Sequence, residues 1–368
     1  MPQGLVHFLA KCHRAHANGR DMQVALTELN GFHGLAGRKH GGKLQSTLCK
    51  RNTVSFSGSG YCLFIIPAMY QVKRPARSEF VPVRNLSYHV LVWGTPAEAK
   101  TPLVLLHGWM DVAASYQFVV DAFSEEHYII APDWRGYGKT SGGGADNFWF
   151  PDYLADLDFL LDHYTPERAV NLVGHSMGGN VAMHYGGVRP ERIRRLINLE
   201  GFGMAASTPD QAPQRYARWM DELKKLHVGQ MDLHPYPTTA GVSRRLMKTN
   251  PRLSSDKADW LARHWARESP DGHWRIQGQP GHKVVSANLP RLEEAMALYS
   301  RLSMPVLSVE AEESSLDTWW KGQYTLNEYH ERLRAIPQVE IKRIVEAGHM
   351  LHHDQPEVLA DMIERFIA

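Results

Sequence analysis

The sequence is poor in cysteine, and its three cysteines all lie near the N-terminus, at Cys12, Cys49 and Cys62. The rest of the chain has none, which excludes a disulfide scaffold for the body of the protein. A chain without structural disulfides suits a reducing compartment. We therefore expect a cytoplasmic protein.

Long apolar runs are also missing. No stretch reaches the roughly 18 apolar residues of a transmembrane helix, so no membrane span is expected. Residues 61–69 form a brief apolar run that is too short to span a bilayer and too far along the chain for an ordinary signal peptide. An excess of one charge is absent as well: 41 Lys and Arg stand against 39 Asp and Glu. This balance gives no reason to expect a nucleic-acid partner.

The balance conceals a difference between residues 1–68 and the rest of the chain. The first part has 8 Lys and Arg against 2 Asp and Glu, whereas residues 69–368 have 33 against 37. Three interpretations of this basic segment remain open. The favoured one treats it as a non-native upstream segment, with Met69 as the real start, and the others are a basic targeting or interaction tail and an ordered subdomain. The first two predict disorder.

The most informative segment is residues 172–181, which read Leu-Val-Gly-His-Ser-Met-Gly-Gly-Asn-Val. An apolar strand runs through Gly-x-Ser-x-Gly into a helix with apolar residues at helical spacing. A serine at the tip of such a sharp turn has a strained backbone and needs small neighbours. Gly174, Gly178 and Gly179 meet that need. The pattern predicts that Ser176 is a nucleophile.

Three further motifs follow the expected order of one enzyme family. His107-Gly108-Trp109 follows the apolar run 103–106, the segment 133–140 (Asp-Trp-Arg-Gly-Tyr-Gly-Lys-Thr) follows the run 128–131, and Ala347-Gly348-His349-Met350 lies near the C-terminus. With the serine turn, these motifs make residues 80–368 resemble a serine hydrolase of the α/β-hydrolase fold. The chain is similar to bacterial serine hydrolase-like proteins. The resemblance implies an oxyanion loop at Trp109, a nucleophile elbow at Ser176 and a catalytic histidine at His349.

The α/β fold expected from this pattern is a mostly parallel eight-stranded sheet flanked by helices. The expected strands are residues 80–84, 88–93, 103–106, 128–131, 169–173, 196–199, 306–309 and 340–345. The main helices are expected at residues 116–123, 153–163, 181–188, 326–336 and 356–366. Residues 69–200 and 304–368 would form the hydrolase core.

Residues 201–303 break the alternation of strands and helices between strands 6 and 7. The segment is longer than an ordinary loop and has helical stretches at 214–226, 256–267 and 289–302 with no strands between them. We expect a mostly helical cap over the active site. Its tryptophans are expected in the core of the cap.

A serine hydroxyl is a poor nucleophile at neutral pH and needs a general base. His349 follows the last strand and is expected at the same sheet edge as Ser176, so it is the preferred base. His352 and His353 are assigned a structural or surface role. Backbone N–H groups of Trp109 and Met177 are expected to bind the oxyanion of the tetrahedral intermediate.

The triad acid departs from the common pattern of the family. Most relatives place an aspartate after strand 7, where this chain has Ser314 in direct register. Glu200, which ends strand 6, is the favoured substitute because a glutamate that closes an apolar strand is costly without a purpose. Glu312 or Glu313 in the loop is the next choice. Asp317 is the last.

Serine at the elbow disfavours the haloalkane and epoxide chemistry of related folds, which use an aspartate nucleophile. The expected activity is carboxylesterase-like hydrolysis of a small-molecule acyl substrate through an acyl-enzyme. An acyltransferase with the same triad and a weakly catalytic ligand-binding protein remain alternatives. No cofactor is expected. No metal site is expected either, because the sequence lacks a His-Glu-x-x-His motif and His352-His353-Asp354 has no spaced partner. The sequence leaves the oligomeric state open.

Overall fold

In the computed structural model, the described residues are 55–56, 62–63, 69–98, 100–314 and 316–368, with the side chain of Asp317 not described. The chain divides into two units, Met1–Ile66 and Pro67–Ala368. In the first unit, the short strands Ser55–Phe56 and Cys62–Leu63 pair in antiparallel fashion. The three interpretations of residues 1–68 otherwise concern residues outside the described part of the chain and stay predictions.

The second unit is built on one sheet of eight strands, which confirms the predicted fold. The strands are β1 (Arg77–Val83), β2 (Leu86–Trp93), β3 (Leu103–Leu106), β4 (Ile129–Pro132), β5 (Val170–His175), β6 (Ile193–Leu199), β7 (Val306–Glu313) and β8 (Val339–Gly348). Their order across the sheet is β8-β7-β6-β5-β3-β4-β2-β1. The neighbours from β8 to β4 are parallel, whereas β2 is antiparallel to both β4 and β1.

Helices cover the sheet and occupy the long insertion after β6. They are α1 (Gln117–Ala122), α2 (Phe150–Tyr164), α3 (Met177–Val188), α4 (Ala212–His227), α5 (Thr239–Thr249), α6 (Ser255–Trp265), α7 (Leu292–Tyr299), α8 (Leu316–Trp320), α9 (Leu326–Leu333), α10 (Leu351–Asp354) and α11 (Pro356–Ile367). Short 3₁₀ helices are formed by Ala113–Tyr116, Pro190–Arg192, Pro209–Gln211 and Pro280–Lys283. No helix in the described part of the chain is long and apolar enough to cross a membrane.

The central strands are apolar because the sheet is buried on both faces. In β3, Val104 and Leu106 belong to one hydrophobic cluster, whereas Leu103 and Leu105 belong to another. Successive side chains of a strand point to opposite faces, so each face needs its own apolar residues. The same sheet places the carboxyl ends of β3, β5 and β6 side by side. Loops that follow these strands therefore meet at one edge.

The insertion between β6 and β7 contains α4 to α7. The sequence predicts all of these helices except α5, because α5 has few apolar residues to show a helical pattern. The expectation that no strands lie between these helices is wrong, because Ala266–Glu268 and Trp274–Ile276 pair as a small antiparallel hairpin. Trp260, Trp265 and Trp274 pack against one buried cluster of this region. The division into a core and a cap, with its boundaries, stays a prediction.

Candidate active site

Ser176 lies between β5 and α3 with φ 52° and ψ −114°. Positive φ is rare for a residue with a side chain and marks local backbone strain. This strained conformation is stabilised by a 2.8 Å hydrogen bond from the Ser176 N–H to the Leu199 carbonyl. Gly178 is required next to it, because an added Cβ would lie 2.3 Å from the Leu106 carbonyl oxygen. The expected sharp turn is therefore present, with its serine at the tip.

The loop after β3 packs against this turn. A Cβ built on Gly108 would lie 3.2 Å from the Ser176 Cβ, so the backbone of the loop approaches the serine closely. Trp109 follows directly, and its side chain is 53% exposed. Met177 is the first residue of α3, so its N–H has no acceptor within the helix. The loop that contains Trp109 and the start of α3 therefore both lie next to Ser176.

His349 lies just after β8, at the same edge. Its carbonyl accepts a hydrogen bond of 2.7 Å from Nε2 of His175, the residue before Ser176. The two rings are 4.7 Å apart, and the exposed Trp319 ring meets His349 edge-on at 4.3 Å. Burial lowers the pKa of His349 to about 4, against the opposing effect of the Asp111 carboxylate. The imidazole is therefore neutral at neutral pH, as a general base must be.

Glu200 directly follows β6 and is 1% exposed. One carboxylate oxygen lies 3.3 Å from Nδ1 of His349, and the other accepts a 2.7 Å hydrogen bond from the Ala311 N–H. Glu200 also has positive φ, 56°, which turns the chain sharply after the strand. The structure thus brings Glu200, His349 and the Ser176 turn to one place.

The other acid candidates lie elsewhere or outside the described side chains. β7 continues through Glu313, longer than expected, and both of its terminal glutamates are exposed. Glu312 accepts a hydrogen bond from the Glu346 N–H, and Glu313 forms a 2.7 Å ion pair with Arg252. The side chain of Asp317 lies outside the described residues.

A buried polar network supports the loop that contains Trp109. Nε2 of His107 accepts from the Trp134 N–H at 2.9 Å. Asp133 accepts from the N–H groups of Ala113 and Lys139, and its carboxylate contacts the His89 ring at 2.7 Å. Those contacts hold the pKa of Asp133 below its ordinary value, despite burial. This network positions the loop backbone and involves neither Ser176 nor His349.

The insertion after β6 is joined to the same loop. Trp109 Nε1 donates to the His282 carbonyl at 3.1 Å. The His282 ring is stacked between Tyr137 and Phe148, with centroids 3.8 and 3.6 Å away. The turn after β4 adds two backbone hydrogen bonds, from Gly138 to Gln277 and from Gln279 to Gly136. One wall of the site is therefore built from the insertion.

A cluster of buried histidines lies behind the site and was not predicted from the sequence. His352 and His353 are 0% and 3% exposed, so the surface role considered for them is wrong. The His352 ring lies 4.4 Å from the His175 ring and 4.2 Å from that of His353. Asp111, in the loop after β3, completes the cluster with His175 and His352. These residues are far apart in the sequence and come together only in the folded chain. No local sequence motif therefore predicts the cluster.

Comparison with known proteins agrees with the fold. A family model described as alpha/beta hydrolase fold matches residues 101–356. A serine hydrolase-like protein from Danio rerio is 25% identical over 300 residues, covering 80% of this chain and 89% of that protein. The AB hydrolase superfamily protein YfhM from Bacillus subtilis is 24% identical over 299 residues, covering 79% and 98%. The thioesterase domain from the curacin biosynthetic pathway superposes with a TM-score of 0.67 at 22% identity, covering 78% of this chain and 99% of that domain.

Proposed function

The chain belongs to the α/β-hydrolase family and is a hydrolase, and on that premise we propose that it cleaves carboxylic esters or related acyl substrates with Ser176 as nucleophile. The observation with most weight is the 3.3 Å approach of Glu200 to Nδ1 of His349, beside the strained Ser176 turn. A serine, a neutral imidazole and a buried carboxylate at one sheet edge are the parts of a catalytic triad. The serine hydrolase-like relative supports the same class of chemistry.

In the proposed acylation step, the Ser176 hydroxyl attacks the substrate carbonyl and His349 takes the hydroxyl proton. Glu200 holds Nδ1–H and stabilises the imidazolium that forms. The negative charge that develops on the carbonyl oxygen is stabilised by the N–H groups of Trp109 and Met177. Loss of one such donor typically costs ~10² to 10³ in rate. His349 then gives this proton to the leaving alcohol or thiol group as its bond to the acyl carbon breaks. The acyl group stays attached to Ser176 as an acyl-enzyme.

In the proposed deacylation step, water takes the place of the alcohol. His349 removes a proton from the water, the water oxygen attacks the acyl carbon, and the Ser176 oxygen leaves with the proton. Trp109 and Trp319 are half-exposed aromatic rings beside the reacting groups. They are suited to contact an apolar part of a small-molecule acyl substrate.

The direct test is hydrolysis of p-nitrophenyl esters of increasing acyl length by the full chain, with Ser176→Ala in parallel. We expect measurable turnover by the parent and a loss of about 10³-fold or more in the variant. Ser300→Ala, at an exposed serine after α7, is the matched control and should keep parental activity. A folded parent with no more turnover than Ser176→Ala would contradict the proposed ester chemistry.

A further inference from the structure

Asp111, His175 and His352 form a compact buried group behind the candidate catalytic residues. Their exposed fractions are 4%, 2% and 0%. One carboxylate oxygen and one ring nitrogen from each histidine all lie within 4.8 Å of one another. The three residues come from the loop after β3, the end of β5 and the helix α10. The group therefore joins three loops that also supply the candidate catalytic residues.

The polar atoms that face each other in this group lack partners. Asp111 Oδ2, His175 Nδ1 and both ring nitrogens of His352 have no hydrogen-bond partner among the described residues. His352 Nε2 and Asp111 Oδ2 are 3.8 Å apart, which is too long for a hydrogen bond. Buried polar atoms are almost always satisfied, so three such atoms within 4.8 Å of one another, one from each residue, indicate a bound species.

The remaining contacts orient these atoms as ligands are oriented in metal sites. His175 Nε2 donates to the His349 carbonyl, so the lone pair of the neutral ring lies on Nδ1 and faces the cluster. The other oxygen of Asp111, Oδ1, accepts from the Ser115 hydroxyl, which in turn contacts His353 Nε2 at 3.1 Å. Such hydrogen bonds to the outer atoms of metal ligands fix the tautomer and direction of the inner ones.

The charge of the Asp111 carboxylate favours an ion over a water molecule as the bound species. Among the described residues, the only ion-pair neighbour of the buried Asp111 carboxylate is His352. A buried carboxylate without a cation is costly. A divalent ion would supply the missing positive charge, whereas a water molecule would not.

We propose that Asp111, His175 and His352 bind a divalent first-row transition-metal ion, with Zn²⁺ as the simplest case. Two imidazoles and one carboxylate are a common ligand set for such ions. Metal–ligand bonds are about 2.0 to 2.2 Å long. Even if the three ligand atoms are 4.8 Å from one another, which is the upper limit in this structure, each needs to move by roughly 0.7 Å or less towards their common centre to form such bonds. The ion lies behind the catalytic groups and does not touch the substrate. It ties together the loops of Trp109, Ser176 and His349.

The test measures metal binding without any use of hydrolysis. The full chain is stripped with dipicolinate, incubated with Zn²⁺ and desalted, and the metal is counted by mass spectrometry. We expect about one Zn²⁺ per chain and a melting temperature raised by about 3 °C or more at saturating Zn²⁺. Co²⁺ should give the visible absorption of a site with nitrogen and oxygen ligands. Ser176→Ala should bind equally, so failure of the proposed hydrolysis and failure of the metal site are distinguishable.

Variants assign the ligands. Asp111→Asn, which is nearly isosteric, and His352→Gln should each weaken Zn²⁺ binding by at least about tenfold. His184→Gln is the matched control, because His184 is a partly buried histidine that hydrogen-bonds to the Asn180 carbonyl outside the cluster. It should bind like the parent. If a variant fails to fold, the metal count and the Co²⁺ spectrum of the parent decide whether the site exists.

Three results would overturn the proposal. The first is a parent that retains less than about 0.1 Zn²⁺ per chain, which would leave water as the occupant. The second is unchanged affinity in folded Asp111→Asn and His352→Gln. The third is a thiolate charge-transfer band with Co²⁺, which would place the ion on cysteines of the N-terminal segment.

Discussion

Replacing Glu200 by Gln removes the negative charge next to His349 while it keeps the size of the side chain. A glutamine oxygen can still accept from the Ala311 N–H, so local folding should survive. The amide nitrogen then faces His349 Nδ1 and donates to it, which drives the ring proton to Nε2. Nε2 is the nitrogen that must accept the Ser176 proton. The variant should therefore fold and lack an effective base.

The size of the effect follows from the charges in the transition state. Two unit charges about 3.3 Å apart attract by about 5 kcal/mol at an effective dielectric constant near 20. That energy corresponds to a factor of ~10³ to 10⁴ in rate. We expect a loss of that size in kcat for ester hydrolysis, with KM changed by less than about threefold. Stopped-flow or plate-based release of p-nitrophenol from the best ester measures both constants.

Glu312→Gln and Glu313→Gln are matched controls, because both glutamates are exposed and bonded to other groups. Each should retain kcat within about twofold. Parental kcat in a Glu200→Gln variant that its melting curve shows to be folded would exclude Glu200 as the triad acid. Loss of activity in Glu312→Gln instead would indicate that the triad acid lies at the end of β7.

Three further outcomes are expected. Glu364 accepts hydrogen bonds from the Ser124 N–H, the Ser124 hydroxyl and the Glu125 N–H, and its pKa is lowered to about 2. The folded protein therefore gains stability above about pH 4.5 that is lost as pH falls through 2. Glu364→Gln should cost about 1 to 3 kcal/mol at pH 7 but little at pH 2 or below, and urea melts across pH measure this difference. Gly178→Ala forces a Cβ to 2.3 Å from the Leu106 carbonyl and should lower both the melting temperature and kcat, whereas parental values would contradict the tight turn. Trp109→Ala keeps the backbone N–H and should raise KM more than it lowers kcat; a kcat loss of ~10² or more would show that the side chain acts on the transition state.

The sequence predicted the sheet well because its central strands are buried on both faces. Continuous apolar runs such as residues 103–106 leave few alternatives, and all eight predicted strands are present. Ser176 and His349 could be found because each lies in a short local motif. The end of β7 was predicted less well, since the exposed Glu312 and Glu313 are not apolar like the residues before them, although Glu313 pairs with Gly348 of β8.

Features that depend on distant residues could not be predicted. The sequence favours Glu200 as the acid but cannot measure its approach to His349, which joins residues from β6 and the loop after β8. The role of each triad residue stays a prediction until it is tested. Asp111, His175 and His352 lie far apart in the chain, and no motif with metal-ligand spacing relates them. The hairpin in the insertion was missed because its strands are only three residues long.

The central claim is that Ser176 is an activated nucleophile, and it does not depend on knowledge of the natural substrate. The most direct measurement is the intact mass of the full chain after treatment with a fluorophosphonate, followed by peptide mapping. We predict one phosphonyl group per chain, attached to Ser176, and no label on Ser176→Ala. An unlabelled folded parent, or a label on another residue, would contradict it.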